Sequence, residues 1–343
     1  MAIVTSGKDF VRATLEPDSA SWRHAMKTAI RDPIELCRTL ELPVMFEEGA
    51  VHASSAFPVF APRAFVDKME SGNPHDPLLR QVLPLTEELV DAPGFVSDPV
   101  DDNSATLTPG LLRKYQGRAL MITTGACAVH CRYCFRREFP YDLAPKSIDD
   151  WRPALDQIES DATLEEIILS GGDPLTLVDE QLTQLSEALA RIRHVKRLRI
   201  HTRLPIMIPG RVTNDLVALL RESRFVPIVV IHANHAAELD ESVASSLARL
   251  TDSGIPLLNQ AVLLRGVNDN IDALANLSRR LIHLRVMPYY LHQLDRVAGA
   301  AHFEVSQKRG RELVAQLRKL LPGYGVPRYV QETPANLSKT VLA

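Results

Sequence analysis

The chain contains little cysteine and no long apolar stretch. Four cysteines in 343 residues cannot form the dense disulfide framework of a small secreted protein. No run of apolar residues is long enough to cross a bilayer. Residues 1–10 also lack the apolar core of a signal peptide. We therefore expect a cytoplasmic protein that does not associate with a membrane.

The chain also lacks an excess of charge of either sign. Its 39 lysines and arginines stand against 42 aspartates and glutamates, so no broad basic field indicates a nucleic-acid partner. Residues 1–110 read as helices and loops, with helical apolar spacing at 21–40 and 76–89. We expect this part to form an N-terminal helical accessory region.

Alternating strand-like and helical segments after residue 110 predict a parallel sheet covered by helices. The predicted strands are 119–124, 166–170, 197–201, 227–232, 257–264 and 285–291. The predicted helices are 149–159, 179–192, 214–222, 242–253, 273–283 and 306–321. A doubly wound sheet and a partial (βα)6 barrel of the TIM type are both compatible with this order, and the strand count favours the barrel. We divide the chain into an accessory region (1–110), a barrel core (111–331) and a C-terminal segment (332–343).

Three of the four cysteines lie in one short loop. Cys127, Cys131 and Cys134 follow the first predicted strand, whereas Cys37 lies in a remote apolar segment that is typical of core. Three thiolates in one loop indicate a [4Fe–4S] cluster that keeps one iron free of protein ligands. Structural zinc usually takes four protein ligands, and the chain has no second cysteine pair. Zinc and plain structural thiols remain the alternatives.

Polar residues end several predicted strands, where the chemistry of a barrel is normally located. Two glycines follow the second strand, and their free amides could bind a ligand, although an ordinary tight turn is the simpler interpretation. A single histidine is more often a bonded core residue than a ligand, but polar groups on consecutive strands predict the walls of a pocket. These residues are Ser170, Gly171, Gly172, Asp173, His201, Arg203, His232 and Gln260.

Five segments together resemble the lysine 2,3-aminomutases of the radical S-adenosylmethionine superfamily, and the likeness extends from Asp76 to the end. They lie in the order of that family at 127–137, 170–175, 201–205, 259–269 and 287–295. The resemblance implies a partial radical S-adenosylmethionine barrel, a [4Fe–4S] cluster on the three cysteines and S-adenosylmethionine on its open iron. It further implies pyridoxal 5′-phosphate, an external one-electron reductant and conversion of L-α-lysine to (R)-β-lysine. The strand-end residues then become walls of the S-adenosylmethionine pocket.

The resemblance assigns residues to the pyridoxal phosphate site. Lys339 corresponds to the Schiff-base lysine of the family, and burial should keep its amine neutral. A lysine so close to a terminus is otherwise usually solvated. Lys114 and Arg118 correspond to basic residues near the cofactor phosphate, where a surface-charge interpretation is equally compatible with the sequence.

The resemblance also assigns the substrate contacts. Arg136 corresponds to the arginine that pairs with the α-carboxylate, and Asp295 and Glu332 to the two acids that receive the distal ammonium of lysine. Two carboxylates favour a second positive charge and reject an acidic side chain. The chain departs from the clostridial enzymes at Glu332, where they have aspartate, and at His292, where they have tyrosine. It also carries Val341 where the family typically has proline.

The sequence resembles the short form of the family. Longer members continue past the Schiff-base lysine with a segment that carries zinc-binding cysteines, and Asn270 stands where they have one such cysteine. We therefore expect no zinc. The short bacterial form supplies (R)-β-lysine to a ligase that attaches it to elongation factor P. An aminomutase for another amino acid, such as glutamate, and a non-catalytic iron–sulfur electron-transfer module remain alternatives. A homo-oligomer is compatible with the sequence.

Overall fold

A computed structural model of the chain describes residues 19–141 and 144–343. The expectation for residues 1–10, and the beginning of the predicted accessory region, lie outside these described residues. Among the helices that are described, none combines the length and the apolar character that a membrane span requires.

A ten-stranded sheet forms the centre of the fold, and its strands follow one another across the sheet in chain order. They are β1 Thr106–Thr108, β2 Leu111–Tyr115, β3 Arg118–Thr124, β4 Glu166–Gly171, β5 Arg197–Thr202, β6 Val226–His232, β7 Leu257–Val262, β8 Met287–His292, β9 Arg328–Gln331 and β10 Thr340–Val341. Strands β3 to β9 are parallel. The first two strands and the last one add antiparallel edges. The architecture is a mixed α/β partial barrel with an N-terminal helical region.

Helices connect most of the parallel strands and cover the sheet. The α-helices are α1 Ser19–Lys27, α2 Pro33–Thr39, α3 Met45–Ala56, α4 Arg63–Val66, α5 Asp102–Ala105, α6 Ile148–Ser160, α7 Asp179–Arg191, α8 Leu204–Met207, α9 Asn214–Glu222, α10 Glu241–Asp252, α11 Ile271–His283 and α12 Gln307–Leu320. Leu274, Leu277 and Leu281 are buried on one face of α11, which is the spacing of an amphipathic helix that packs on a core. This alternation leaves the carboxyl ends of the parallel strands at one end of the barrel.

The six predicted strands correspond to β3–β8, and the six predicted helices after residue 110 correspond to α6, α7 and α9–α12. The predicted helix at 76–89 was wrong, because this segment forms two short 3-10 turns, Leu79–Gln81 and Thr86–Leu89. Pro84 lies between the turns and has no backbone N–H to donate. The segment 21–40 forms two helices instead of one, since Asp32 caps a new helix that begins at Pro33.

The hydrophobic core is continuous across the predicted boundary at residue 110. Phe65 and Leu79 of the N-terminal region belong to the same buried cluster as Trp151 and Leu185 of the barrel. The N-terminal region therefore packs directly on the barrel. The division at 110 and 331 remains a prediction about domain organisation.

Candidate active site

A cavity of about 550 Å³ begins at the carboxyl ends of the parallel strands. This volume is in the range of sites that bind small molecules and cofactors. The structure brings together around it all the residues that the sequence predicted for the site: Lys114, Arg118, Cys127, Cys131, Cys134, Arg136, Ser170, Gly171, Gly172, Asp173, His201, Arg203, His232, Gln260, Asp295, Glu332 and Lys339.

The loop after β3 presents three thiols to the cavity. Burial, and then the neighbouring thiols, raise the pKa of Cys127 well above its ordinary value, and the same two causes raise the pKa of Cys134 to about 11. Such thiols ionise together only when bound metal offsets their charge. Structural zinc usually takes four protein ligands, whereas each thiol of a cubane binds a different iron. A loop with three thiols therefore suits a cluster better than a single zinc ion.

Buried charges from the N-terminal region fix the cysteine loop. The Nε and Nη2 atoms of Arg132 donate to both carboxylate oxygens of Glu88, at 2.8 and 2.6 Å. Arg137 donates to the same carboxylate at 2.9 Å, and Arg132 also donates to the carbonyl of Phe57 at 2.7 Å. Breaking a buried ion pair of this kind is strongly destabilising. Sequence reasoning missed Glu88, because no local pattern distinguishes an acid that lies in a short turn.

Gly171 ends β4 and Gly172 follows it, and both pack closely against the cysteine loop and the end of β3. A Cβ atom on Gly172 would lie 2.2 Å from the carbonyl oxygen of Ala126, and Gly171 has a positive φ of 116°. The backbone N–H of Gly172 donates to Thr124 at 2.8 Å, and that of Asp173 donates to Ala126 at 2.7 Å. The amide of Gly172 is therefore occupied by the carbonyl of Thr124 and is not free to bind a ligand, so our expectation was wrong for this glycine.

Asp173 connects the ends of β4 and β5. Its carboxylate accepts hydrogen bonds from the hydroxyl of Thr202 and from the backbone N–H groups of Leu175, Arg203 and Leu204. The residue is 5% exposed. Burial raises its pKa, and these donors offset the rise only in part. Asp173 therefore lies in the cavity wall, and its carboxylate oxygens are occupied by hydrogen bonds from the protein. These bonds orient the residues that follow β5.

Three neutral histidines line the cavity at the ends of β5, β6 and β8. Burial holds the pKa values of His201 and His292 well below the ordinary range, and burial followed by the charge of Arg203 lowers that of His232 to about 3. The Nε2 atom of His232 lies 2.9 Å from the hydroxyl of Tyr133. The Nε2 atom of His201 has no partner within the part of the chain that the structure describes, so it can still hydrogen-bond a ligand.

The last strand, β10, holds Lys339 at the cavity wall. Thr340 and Val341 form β10, which pairs with β9, so the preceding lysine is held although it lies near the terminus. The Lys339 ammonium and the Tyr115 hydroxyl both donate to the carboxylate of Glu332. Burial alone would raise the pKa of Glu332, but these two donors outweigh it and leave the pKa below its ordinary value.

The two predicted acids differ in their surroundings. Asp295 has no ion-pair or side-chain hydrogen-bond partner among residues 19–141 and 144–343, whereas Glu332 has the two donors described above. Burial raises the pKa of Asp295 to about 7, and the positive charge of Lys339 offsets this rise only in part. Asp295 is therefore the acid that gains most from a cation entering the cavity.

An acid that the sequence did not identify orients Arg136. Asp102 accepts a hydrogen bond from Nε of Arg136 at 2.7 Å and pairs with Nζ of Lys114 at 2.8 Å. Burial would raise the pKa of Asp102, but these two cations outweigh it and lower the pKa. The Nη1 atom of Arg136 lies 3.4 Å from Oγ of Ser170, and Nη2 has no hydrogen bond within the described chain. The guanidinium is thus fixed at Nε, with its outer nitrogens available to an anion.

The cavity extends from the strand ends into the barrel. Arg118 lies over the ring of Tyr115 at 4.6 Å, and Arg199 pairs with Glu166 at 2.7 Å. Both arginines line the cavity. Sequence reasoning missed Arg199, although it precedes His201 by two residues and therefore points to the same face of β5. The barrel interior is accordingly more polar than the apolar layers that usually fill such barrels.

Comparison with known proteins gives three kinds of match. The model of the Radical SAM superfamily matches residues 121–277. The L-lysine 2,3-aminomutase of Escherichia coli (strain K12) is 47% identical over 329 residues, which cover 95% of each chain. The L-lysine 2,3-aminomutase of Clostridium subterminale is 33% identical over 95% of this chain and 78% of its own length. The crystal structure of Streptococcus suis SuiB bound to S-adenosylmethionine aligns with 64% of this chain and 51% of its own, at 13% identity and a TM-score of 0.47.

Proposed function

Since the chain belongs to the lysine 2,3-aminomutase family of radical S-adenosylmethionine enzymes, we propose that it converts L-α-lysine to (R)-β-lysine with pyridoxal phosphate as a further cofactor. One observation carries the proposal: the three loop cysteines, Lys339 and Asp295 line a single cavity. Residues that are remote in sequence are thereby within reach of one substrate.

The residues of the cavity suit the groups that this family uses. When bound, the cluster and S-adenosylmethionine supply an organic radical, and pyridoxal phosphate supplies an aldehyde and a conjugated ring for the migrating nitrogen. Cys127, Cys131 and Cys134 would hold the cluster, and Lys339 would hold the pyridoxal aldehyde. Arg118 would bind the phosphate, with Lys114 and Arg199 nearby in the same cavity.

Charged side chains of both signs in the cavity would select lysine. Asp102 fixes Nε of Arg136, which leaves the outer guanidinium nitrogens to bind an α-carboxylate. Asp295 would receive the distal ammonium, and Glu332 would complete the anionic end although it also faces Lys339. A glutamate substrate would place its own carboxylate against these acids, which is unfavourable in a buried site.

The remaining wall residues would bind S-adenosylmethionine and exclude water. Ser170, His201, His232 and Gln260 lie on the consecutive strands β4–β7 at the cavity wall. Arg203 lies beside them, where its guanidinium is already hydrogen-bonded to Gln81 and Glu238. The low pKa values of His201 and His232 keep both rings uncharged at neutral pH, so they can offer neutral hydrogen bonds. Their role in this proposal is to orient the cofactor, because radical transfer needs the reacting atoms in close and defined contact.

We further propose that the product modifies elongation factor P through a separate ligase. Support comes from the resemblance to the short form of the family and from the identities of the relatives, which are 47% for the Escherichia coli enzyme and 33% for the clostridial one. Mass spectrometry of elongation factor P from cells with and without this gene tests the proposal. Loss of the β-lysyl mass in the deletion strain, restored by added (R)-β-lysine, is expected, and an unchanged mass would contradict it.

Borohydride trapping distinguishes the proposed enzyme from an iron–sulfur electron-transfer module that binds no pyridoxal phosphate. Anaerobically reconstituted wild-type protein should show cluster absorption together with a pyridoxal band that borohydride alters, and peptide mapping should place the reduced label on Lys339. The Lys339→Ala variant should keep its iron and lose the label, whereas Cys131→Ala should lose iron and keep the label. Cluster absorption without a borohydride-sensitive band in the wild type would favour the module.

A further inference from the structure

One arginine contacts a cluster cysteine directly. The Nη1 atom of Arg203 donates to Sγ of Cys131 at 2.8 Å. The Arg203 side chain is 6% exposed, so water competes little for this contact. A cation in such a position acts with less dielectric screening than one at the surface.

The guanidinium of Arg203 is fixed on its other side. Its Nη2 atom donates to Gln81 at 2.6 Å and to Glu238 at 2.9 Å. Its backbone N–H donates to the carboxylate of Asp173 at 2.7 Å. Glu238 is itself held, because its other carboxylate oxygen accepts from the backbone of Asn234 at 2.8 Å. Reorientation of Arg203 would break several buried hydrogen bonds, so its Nη1 atom is kept on the sulfur.

The other buried arginines around the loop have different partners. Arg132 and Arg137 donate to Glu88 and to carbonyl oxygens, and Arg136 donates to Asp102. Among the arginines that the structure describes, only Arg203 donates a side-chain hydrogen bond to a cysteine sulfur. The charges of the other arginines near the loop are mostly neutralised by carboxylates, so the guanidinium contact with Cys131 is particular to Arg203.

We propose that Arg203 is a positioning residue that raises the reduction potential of the cluster through its hydrogen bond to Cys131. The proposal rests on the cluster assigned above to the three cysteines. Reduction takes one electron from the external reductant and adds one negative charge to the cluster, while Arg203 exchanges neither electron nor proton. A fixed N–H donor with positive charge stabilises the reduced state more than the oxidised state, and hydrogen bonds to sulfur are known determinants of such potentials.

Redox titration of the reconstituted protein, followed by electron paramagnetic resonance, tests the proposal. Arg203→Gln should make reduction about tenfold less favourable, equivalent to about 59 mV for a one-electron couple. Arg203→Lys should give a smaller shift in the same direction, because it keeps the charge but not the two-pronged donor geometry.

Arg211→Lys is the matched control. Arg211 is also a fully buried arginine, but it pairs with Asp179 at 2.7 Å and lies over Trp22. Its replacement should lower the melting temperature without changing the potential. If Arg211→Lys and Arg203→Gln shift the potential equally, a general loss of packing explains the shift and the proposal is overturned.

Measurement of the iron and sulfide content shows whether a negative result contradicts this proposal alone or the proposed function as well. Wild-type protein that takes up no cluster would overturn both, whereas a normal cluster with equal potentials in wild type and Arg203→Gln would overturn the role of Arg203 alone. Should the variants fail to fold, pulsed electron paramagnetic resonance still decides, with wild-type protein in which arginine carries ¹⁵N only in its guanidinium group. A ¹⁵N coupling to the reduced cluster is expected from a donor on Cys131 Sγ, and its absence would refute the contact.

Discussion

Replacing Asp295 with asparagine should weaken recognition of lysine and, at alkaline pH, stabilise the fold. The substitution keeps the shape of the side chain and removes its negative charge. Asp295 has no ion-pair partner in the described chain, and burial raises its pKa from 3.8 to about 7. The native state therefore carries an unfavourable carboxylate whenever the pH exceeds about 7, and a substrate ammonium would relieve this cost.

The sign of the stability effect follows from the direction of the pKa shift. An acid whose pKa is higher in the folded than in the unfolded state destabilises the fold progressively as the pH rises from the unfolded to the folded value. A difference of about three pKa units corresponds to roughly 4 kcal/mol as an upper limit. Because the side chain faces the cavity and is partly solvated, we expect Asp295→Asn to gain about 1–2 kcal/mol at pH 8.5. The gain should shrink as the pH falls towards 5.

The effect on catalysis should have the opposite sign. Loss of one partner of a buried charge pair costs roughly 2–4 kcal/mol of binding. This corresponds to a decrease of about 30- to 1000-fold in kcat/KM for L-lysine. Steady-state assays of β-lysine formation measure it, and chemical denaturation at pH 5 and pH 8.5 measures the stability.

Asp252→Asn is the control for this prediction. Asp252 pairs with Arg285 on the outside of the barrel, and its side chain is 60% exposed, so neither kcat/KM nor the pH dependence of stability should change. The reasoning would be refuted if Asp295→Asn kept kcat/KM within about twofold of the wild type. It would equally be refuted if the variant were less stable than the wild type at pH 8.5.

Three further variants test the surroundings of the cavity. Glu88→Gln should lower the free energy of unfolding by roughly 3 kcal/mol or more, because Arg132 and Arg137 lose their shared buried anion; an unchanged melting temperature would contradict this. Asp102→Asn should raise the KM for L-lysine about tenfold without lowering the iron content, because Arg136 loses its charge-assisted hydrogen bond; equal KM values would count against it. Tyr115→Phe removes a donor that lowers the pKa of Glu332, so the acidic limb of the kcat/KM profile should move to higher pH, and an unmoved limb would be the contrary result.

The central strands could be predicted from the sequence, whereas the edges of the sheet could not. Each of β3–β8 has a continuous or alternating apolar pattern, which is a local signal. The short strands β1, β2, β9 and β10 have no such period, and their pairing depends on contacts made in the folded chain. The position of Lys339 follows from the last of these pairings, so the sequence pattern alone indicated a solvated terminal lysine.

The site was predictable where residues follow strand ends or belong to family motifs. The cysteine loop, His201, His232 and Asp295 are of this kind, and the structure places them around one cavity. Glu88 and Asp102 were missed because each is a single acid in an irregular segment, and its function depends on an arginine that is close only in space. The hydrogen bonds of the Gly172 and Asp173 amides could not be predicted either, since they depend on how the cysteine loop packs.

A single product assay tests the central claim most directly, namely that one cavity joins the cluster loop to Lys339 for chemistry on lysine. Anaerobically reconstituted protein is incubated with L-lysine, S-adenosylmethionine, pyridoxal phosphate and dithionite, and the amino acids formed are separated by chiral chromatography. We predict (R)-β-lysine from the wild type, none from Lys339→Ala or Cys131→Ala, and no β-amino acid from L-glutamate. Formation of β-lysine by either variant, or its absence with a fully loaded wild-type enzyme, would contradict the account.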